Sequence, residues 1–509
     1  MLKKLLCFLL SIFMVSSLCL HNRNVFALQE KELIFGQIGM NTPIDPVKFT
    51  YTEVHQIGYA VCECLFSQNP LTKQLEPCLA EKMPEINEAD MTYTIYLKKD
   101  VHFHDGSSFT SKDVKYSFER ILDPAVKSFY RETLSVIRNI EIVDDYTIKF
   151  HLNNVFYLFP YYLAEIPIYT EDAYKMAGEN WGTTILIGTN AFKIESLDID
   201  SGCKLIKFDE YHGDRPNLDS IVFKFFSDNE ELQKAYEQNE IDIAFTEYTI
   251  LKNLKNKIPL SEVYDFDECS QIFMMFNLNQ KPWNDIKVRE ALSYAIDIDD
   301  IETNLFDNEI KKAGCLISYT INGYDDEVTP KKYNPEKARQ ILKDAGYEIP
   351  IKSDLVVFEP LKDLVMISDS VVQKSKVAGF EFNIINASGS AFKYLKRDGK
   401  IPLHVAKWTI SMTEAEDVFE VFTSQNSDIN SNSYKNDEFD FLFNESRRAK
   451  NVNKRSEIYK KMDKMLVEED FVVIPIQYPK QFYIKKPWVS GFDILDYVFL
   501  PFRKCDINK

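Results

Sequence analysis

The sequence predicts an α/β protein of two or three lobes threaded through one another, and three observations lead there. At 509 residues and 59.3 kDa the chain exceeds one ordinary core. Strand-like and helix-like periodicities alternate through its middle. No internal repeat or low-complexity linker separates its parts, so the lobes are expected to be interleaved. Hydrophobic residues at 45% and charged residues at 27% support packed cores throughout.

The first element is a leader. Lys3 and Lys4 precede the apolar run Leu5–Leu20, and Val25-Phe26-Ala27 offers small residues for a signal peptidase, so residues 1–27 are expected to be removed after Ala27. The run is 16 residues long, short of the roughly 20 a membrane span needs. Leu18 stands before Cys19, where a lipoprotein signal wants a small residue, which ranks lipidation below simple cleavage. The mature chain is expected outside the cytoplasm, periplasmic or cell-surface associated, and not membrane-spanning.

Removing the leader deletes three basic residues and no acidic one, taking the formal charge from −18 to −21. Such an acidic surface disfavours nucleic acid. Nine cysteines become seven, at positions 62, 64, 78, 203, 269, 315 and 505. An odd number without framework spacing allows at most one disulfide, and Cys62-Glu63-Cys64 is too tight for a zinc site.

The remaining elements follow in chain order. Leu33–Ile38 reads as a buried strand, ended by the turn cluster Asn41–Pro46. A helix is expected over 53–66. Thr92–Leu97 alternates with period two, and Val101–His104 is expected to lie beside it as a second antiparallel strand before the Asp105-Gly106 turn. Ser111 looks like a helix N-cap, with Val114, Phe118 and Ile121 at helical spacing up to Asp123-Pro124. A hairpin is expected at 140–152, then strands at 191–194, 204–208 and 221–225, a helix at 229–239 and a strand at 241–244. Helices follow at 288–296, 335–345 (ending at Gly346) and 454–469, with a strand at 472–476.

Several of these segments, in this order, resemble the extracellular solute-binding proteins of the peptide and nickel class, family 5. They are Leu97–Gly106, Phe109–Arg120 with Asp123-Pro124, Gly188-Thr189 with Phe192-Lys193, Glu240–Ala244, Phe276-Asn277, Val288–Asp297, Tyr333–Ala338 with Ala345–Tyr347, and Lys486–Phe492. The resemblance covers about residues 33–495. It implies a periplasmic-binding-protein-like fold of the class II, or cluster C, type. Lobe I would combine 28–66, 188–278 and 477–509, lobe II would be 67–187 and lobe III 279–476, with two hinged lobes closing on the ligand. It further implies a monomer that captures peptides or similar solutes and delivers them to the permease and ATPase subunits of an ABC importer, without a cofactor. A sensor or adhesin would share this fold, and nickel complexes, haem and sugars are alternative cargoes.

The resemblance also places ligand contacts. Thr50 and Thr52 fall on the lobe-I segment lining the cleft, Tyr130 on a lobe-II tyrosine facing the ligand, and Trp408 on the lobe-III tryptophan beside the ligand's amino end. Peptide-binding relatives carry an aspartate three residues after that tryptophan, paired with the peptide ammonium; Ser411 stands there instead. A buried ammonium without a counter-charge is costly, and Glu414 or Asp417 could supply one from a shifted loop. On the residues alone, Tyr130 reads as a core tyrosine, Trp408 equally as packing, and the threonines as loop surface.

His102 and His104 share a strand face and with Asp105 suggest a metal pair, but strand-to-turn structure explains them better. The chain has no phosphate-loop, H-E-x-x-H or G-x-S-x-G motif, and its seven histidines are scattered, so neither catalysis nor a metal is expected.

Overall fold

The computed structural model describes residues 30–39, 42–48, 52–69, 72, 74–254, 257, 259, 262–409, 414–424, 430, 432–492 and 500–509. The leader, with its cleavage point after Ala27, lies outside them. All seven cysteines after the leader are free thiols.

Three sheets organise the described chain. The first has seven strands in the order β12 (Val263–Asp267), β19 (Lys480–Lys485), β11 (Ile243–Thr246), β1 (Glu32–Ile38), β10 (Ser220–Phe226), β9 (Gly202–Lys207) and β8 (Phe192–Asp198). Here β1 runs parallel to both β10 and β11. The second is antiparallel, in the order β4 (Glu85–Asn87), β5 (Thr92–Tyr96), β7 (Thr147–Leu152), β6 (Ile137–Asp144). The third has six strands: β14 (Lys311–Lys312), β18 (Val473–Tyr478), β13 (Ser270–Phe276), β17 (Leu403–Thr409), β15 (Ile351–Phe358) and β16 (Phe380–Ala387). Within it β15 is parallel to β16 and to β17. Two small ribbons complete the set, β2 (Phe66–Gln68) with β3 (Leu75–Pro77) and β20 (Val489–Ser490) with β21 (Asp506–Ile507).

Strand β13 shows why a continuous apolar run becomes a central strand. Every residue in it is buried: Ile272, Met274 and Phe276 enter one core, while Phe273 and Met275 enter another on the opposite face. Each such side chain stabilises the fold by about 1.5–3 kcal/mol.

The chain passes between the seven- and six-stranded sheets twice, at adjacent points. Strands β12 and β13 are separated by Glu268 and Cys269, and β18 and β19 by Pro479 alone. Asp267 pairs with Lys480 on one side and Ile272 with Gln477 on the other, so the two crossings lie side by side in one ribbon. Strand β13, which the resemblance allotted to lobe I, is therefore hydrogen-bonded in the six-stranded sheet, and the return follows Tyr478.

Local expectations differ at three places. The helix expected over 53–66 is α1 (Thr52–Val61), because Cys64 bridges Pro167 and Phe66 starts a strand. Val101–His104 forms only a bridge, His102 with Ser108, around Gly106 at φ +85°; β5 takes β4 and β7 as its neighbours instead. The cap of α2 (Ser111–Leu122) is Thr110, whose side chain accepts from Lys112 N while Asp113 accepts from Thr110 N. Ser111 lies inside the helix and donates to Asp144 O over 2.6 Å. The same helix ties its sheet to the first through Arg120, which holds both oxygens of buried Asp45 at 2.7 and 2.6 Å.

Candidate functional site

In open α/β sheets the carboxyl ends of parallel strands, with helix N-termini beside them, are where ligands sit. In this chain those ends of the first and third sheets come together near the double crossing. The first sheet contributes Gln37 at the end of β1, Glu53 in the first turn of α1, and Thr246 and Glu247 at the end of β11. The third contributes Lys407 and Thr409 from β17, and Asp363 in the first turn of α3 (Lys362–Ser375), the helix after β15.

Glu268, in the crossing and 1% exposed, is the hub. It forms an ion pair with Lys407 at 2.8 Å and accepts from Gln481 Nε2 at 2.7 Å and Thr409 Oγ1 at 3.3 Å. Glu247 reaches across to accept from Lys362 N at 3.2 Å, capping α3, whose own N-cap Leu361 has no side-chain acceptor. Burial holds the carboxyls of Glu53, Glu247 and Asp363 above the ordinary carboxylate range, and Asp363 and Glu53 push Glu247 further up. Burial works against the charge of Lys407, but Glu268, Glu247 and Asp363 together hold its pKa above the usual lysine value.

The segment between Glu85 and Leu152 and the loops after it cover the other flank. Phe129 lies between Tyr130 at 5.7 Å and Trp408 at 6.1 Å between ring centroids, and Tyr130 continues to Tyr162 at 6.5 Å. Polar contacts accompany this aromatic row. Tyr162 OH donates to Asp417 at 2.8 Å, Thr133 Oγ1 lies 2.6 Å from the Glu420 carboxylate, and Tyr157 N donates to Arg447 O at 3.1 Å. Arg447 sits over the Phe156 ring at 4.9 Å and pairs with Glu416 at 2.5 Å. Elements beside the second sheet and elements of the third-sheet region are thus in direct contact on this flank.

Of the residues singled out in the sequence, Tyr130 and Trp408 are brought together through Phe129. Thr50 and Ser411 lie outside the described residues, as does the side chain of Thr52. Glu414 gives both oxygens to Arg455, at 2.9 and 2.6 Å, and accepts from Asn322, so its charge is matched within the third-sheet region. Asp417 accepts from Tyr162, and burial, with the Glu420 charge beside it, raises its carboxyl above the ordinary carboxylate range. His104 is half of no metal pair: its ring bonds Asn190 O and Gly188 N, and burial pulls its pKa to about 4. No group of three or more His, Cys, Asp or Glu among the described residues is arranged to hold a metal ion.

Sequence reasoning missed Glu53, Glu247, Glu268, Asp363 and Lys407. A signal was present for two of them, since Glu247 and Asp363 each follow closely on a strand whose partner runs parallel.

Two α/β bodies joined by paired crossings, with a buried charged cluster where they meet, are the architecture of a hinged binding protein. Comparison with known proteins gives the family: the model of bacterial extracellular solute-binding proteins, family 5 (middle), matches residues 74–430. The chain belongs to that family. It is 27% identical over 469 residues to the dipeptide-binding protein of Escherichia coli K12, covering 85% of this chain and 87% of that one. It is 25% identical over 448 residues to heme-binding protein A of Haemophilus influenzae, covering 82% and 81%. Among solved structures, the oligopeptide-binding protein AppA of Bacillus subtilis in complex with a nonapeptide superposes with a TM-score of 0.85 at 21% identity, over 94% of this chain and 100% of that one. No helix among the described residues is long and apolar enough to cross a membrane.

Proposed function

We propose that this chain is the capturing subunit of an ABC import system, taking up peptides or peptide-like solutes outside the cytoplasm and delivering them to a permease driven by separate ATPase subunits. The observation that carries this is the junction of the two bodies: the carboxyl ends of two parallel-strand sets meet there, and an aromatic row from Trp408 to Tyr162 lies along its flank. Family membership supports the same reading. Ligand binding lowers the shut form relative to the open one only as far as the ligand touches both bodies.

In this proposal the three sheets belong to three lobes, and Pro479 and Glu268-Cys269 form the hinge between the first and third. Thr50, Thr52, Tyr130, Trp408 and Ser411 contact ligand, whereas Glu414 and Asp417 hold the framework that presents them. The protein acts as a monomer, exported by its leader and released after Ala27.

Native mass spectrometry of the protein purified from its own host tests the proposal, because a bound solute in the peptide mass range is expected. Purified ligand should raise the melting temperature in step with ln(1 + [L]/Kd). A protein that co-purifies with nothing and gains no stability from any peptide pool overturns the proposal.

A further inference from the structure

The cleft is built with more negative charge than it balances. Around Lys407 stand four carboxylates, Glu53, Glu247, Glu268 and Asp363, each interacting electrostatically with it, and among the described residues only Glu268 makes an ion pair with it. A second observation is independent of charge. Two buried side chains beside the cluster have an oxygen with no donor among the described residues: Gln37 Oε1 and Gln481 Oε1, in residues 1% and 4% exposed.

Their orientation is fixed by what their other atoms do. Gln481 donates its amide to Glu268, and Gln37 donates its amide to Glu53 O at 3.3 Å. Both amides are therefore anchored in the cluster, leaving a carbonyl oxygen over. Gln37 shares its face of the first sheet with Phe35, and Gln481 with Tyr483, two residues of one core, so both oxygens stand on the same side of that sheet. Buried acceptors without donors are unfavourable, as are buried carboxylates without cations. One kind of chemical group satisfies both: a cation that also donates several hydrogen bonds.

From this juxtaposition we infer that the cleft takes solutes carrying an ammonium or guanidinium group, seated among Glu53, Glu247 and Asp363 with the Gln37 and Gln481 oxygens as its hydrogen-bond acceptors. This rests on the proposed peptide-capturing role and names the class of peptide it selects: one with a basic side chain. Lys407 stays with Glu268 at the crossing and is not displaced. The group is bound without covalent change.

The test uses ligand-free mature protein and isothermal titration with matched tripeptides bearing lysine, arginine, methionine or glutamate at one position, together with a simple alkyl diamine and magnesium and calcium salts. The lysine and arginine peptides are expected to bind at least about tenfold more tightly than the methionine peptide, and the glutamate peptide worst. Glu247→Gln and Asp363→Asn are each expected to reduce that preference by about tenfold, read as the ratio of lysine-peptide to methionine-peptide affinity. Binding of all peptides without charge preference overturns this inference and leaves the peptide-capturing role standing. Binding of the diamine but of no peptide upholds the cation seat and overturns the peptide role. Selective binding of a divalent metal ion, lost in both variants, or no binding of any cation, overturns the inference.

Discussion

Two buried charged regions of this molecule are built on opposite plans. Arg455 and Glu414 form a matched pair: the guanidinium holds both carboxylate oxygens and gives its remaining arm to Ala449 O at 2.7 Å. Lys407, by contrast, is one ammonium among four carboxylates. A matched pair is complete within the fold and serves architecture, with each guanidinium nitrogen used. An unmatched cluster is tolerable in a fold only if protons, or a ligand, supply what is missing. The contrast separates framework from site within a single chain, using charge count and hydrogen-bond completeness alone.

The strongest way to break the comparison is to unmatch the matched pair. Arg455→Met leaves Glu414 buried without a counter-charge and is expected to destabilise the protein by about 3–5 kcal/mol, read from urea denaturation midpoints. A change below about 1 kcal/mol would mean the pair is not structural.

Next in size is a pH effect at the flank, where Arg447 faces Glu416, Asp417 and Glu420 together. Burial lifts the Glu416 carboxyl from 4.5 to about 8. A carboxyl raised in the folded state keeps its proton longer than the unfolded chain does, so its contribution is fully present below pH 4.5 and is lost as pH rises to about 8. Wild type is therefore expected to lose stability relative to Glu416→Gln across that window, by an amount on the order of a few kcal/mol. Parallel denaturation curves for the two proteins at all pH values would count against it.

A smaller effect is expected from removing surplus charge. Glu247→Gln keeps an oxygen for Lys362 N but deletes one carboxylate, so the ligand-free protein should be unchanged or stabilised by about 1 kcal/mol in a thermal melt. A clear loss of stability would place Glu247 with the matched pairs. The aromatic row sharpens the comparison least. Trp408→Ala is expected to weaken peptide binding about tenfold while thermal stability falls little, because Trp408 is only partly buried.

Much of the fold was legible in residue order. Period-two runs such as Thr92–Tyr96 and helical spacing such as Val114, Phe118 and Ile121 express local rules that need no knowledge of tertiary contacts. Val101–His104 was misread because a strand pattern says nothing about which strand will pair with it. Helix α1 was overrun because Cys64 is claimed by Pro167, about a hundred residues onward. The site was half legible: Tyr130 and Trp408 could be marked singly, but Phe129, which joins them, carries no signal of its own. The charged cluster was invisible because its members run from Glu53 to Lys407, drawn from separate segments that only the double crossing gathers.

One feature of that gathering works as a clock hand. Glu247 follows a strand of the first sheet but accepts a hydrogen bond from the opening amide of α3, which packs on the third. Swinging the bodies apart strips that amide of its acceptor, so exchange at Lys362 quickens with the fraction of molecules that stand ajar.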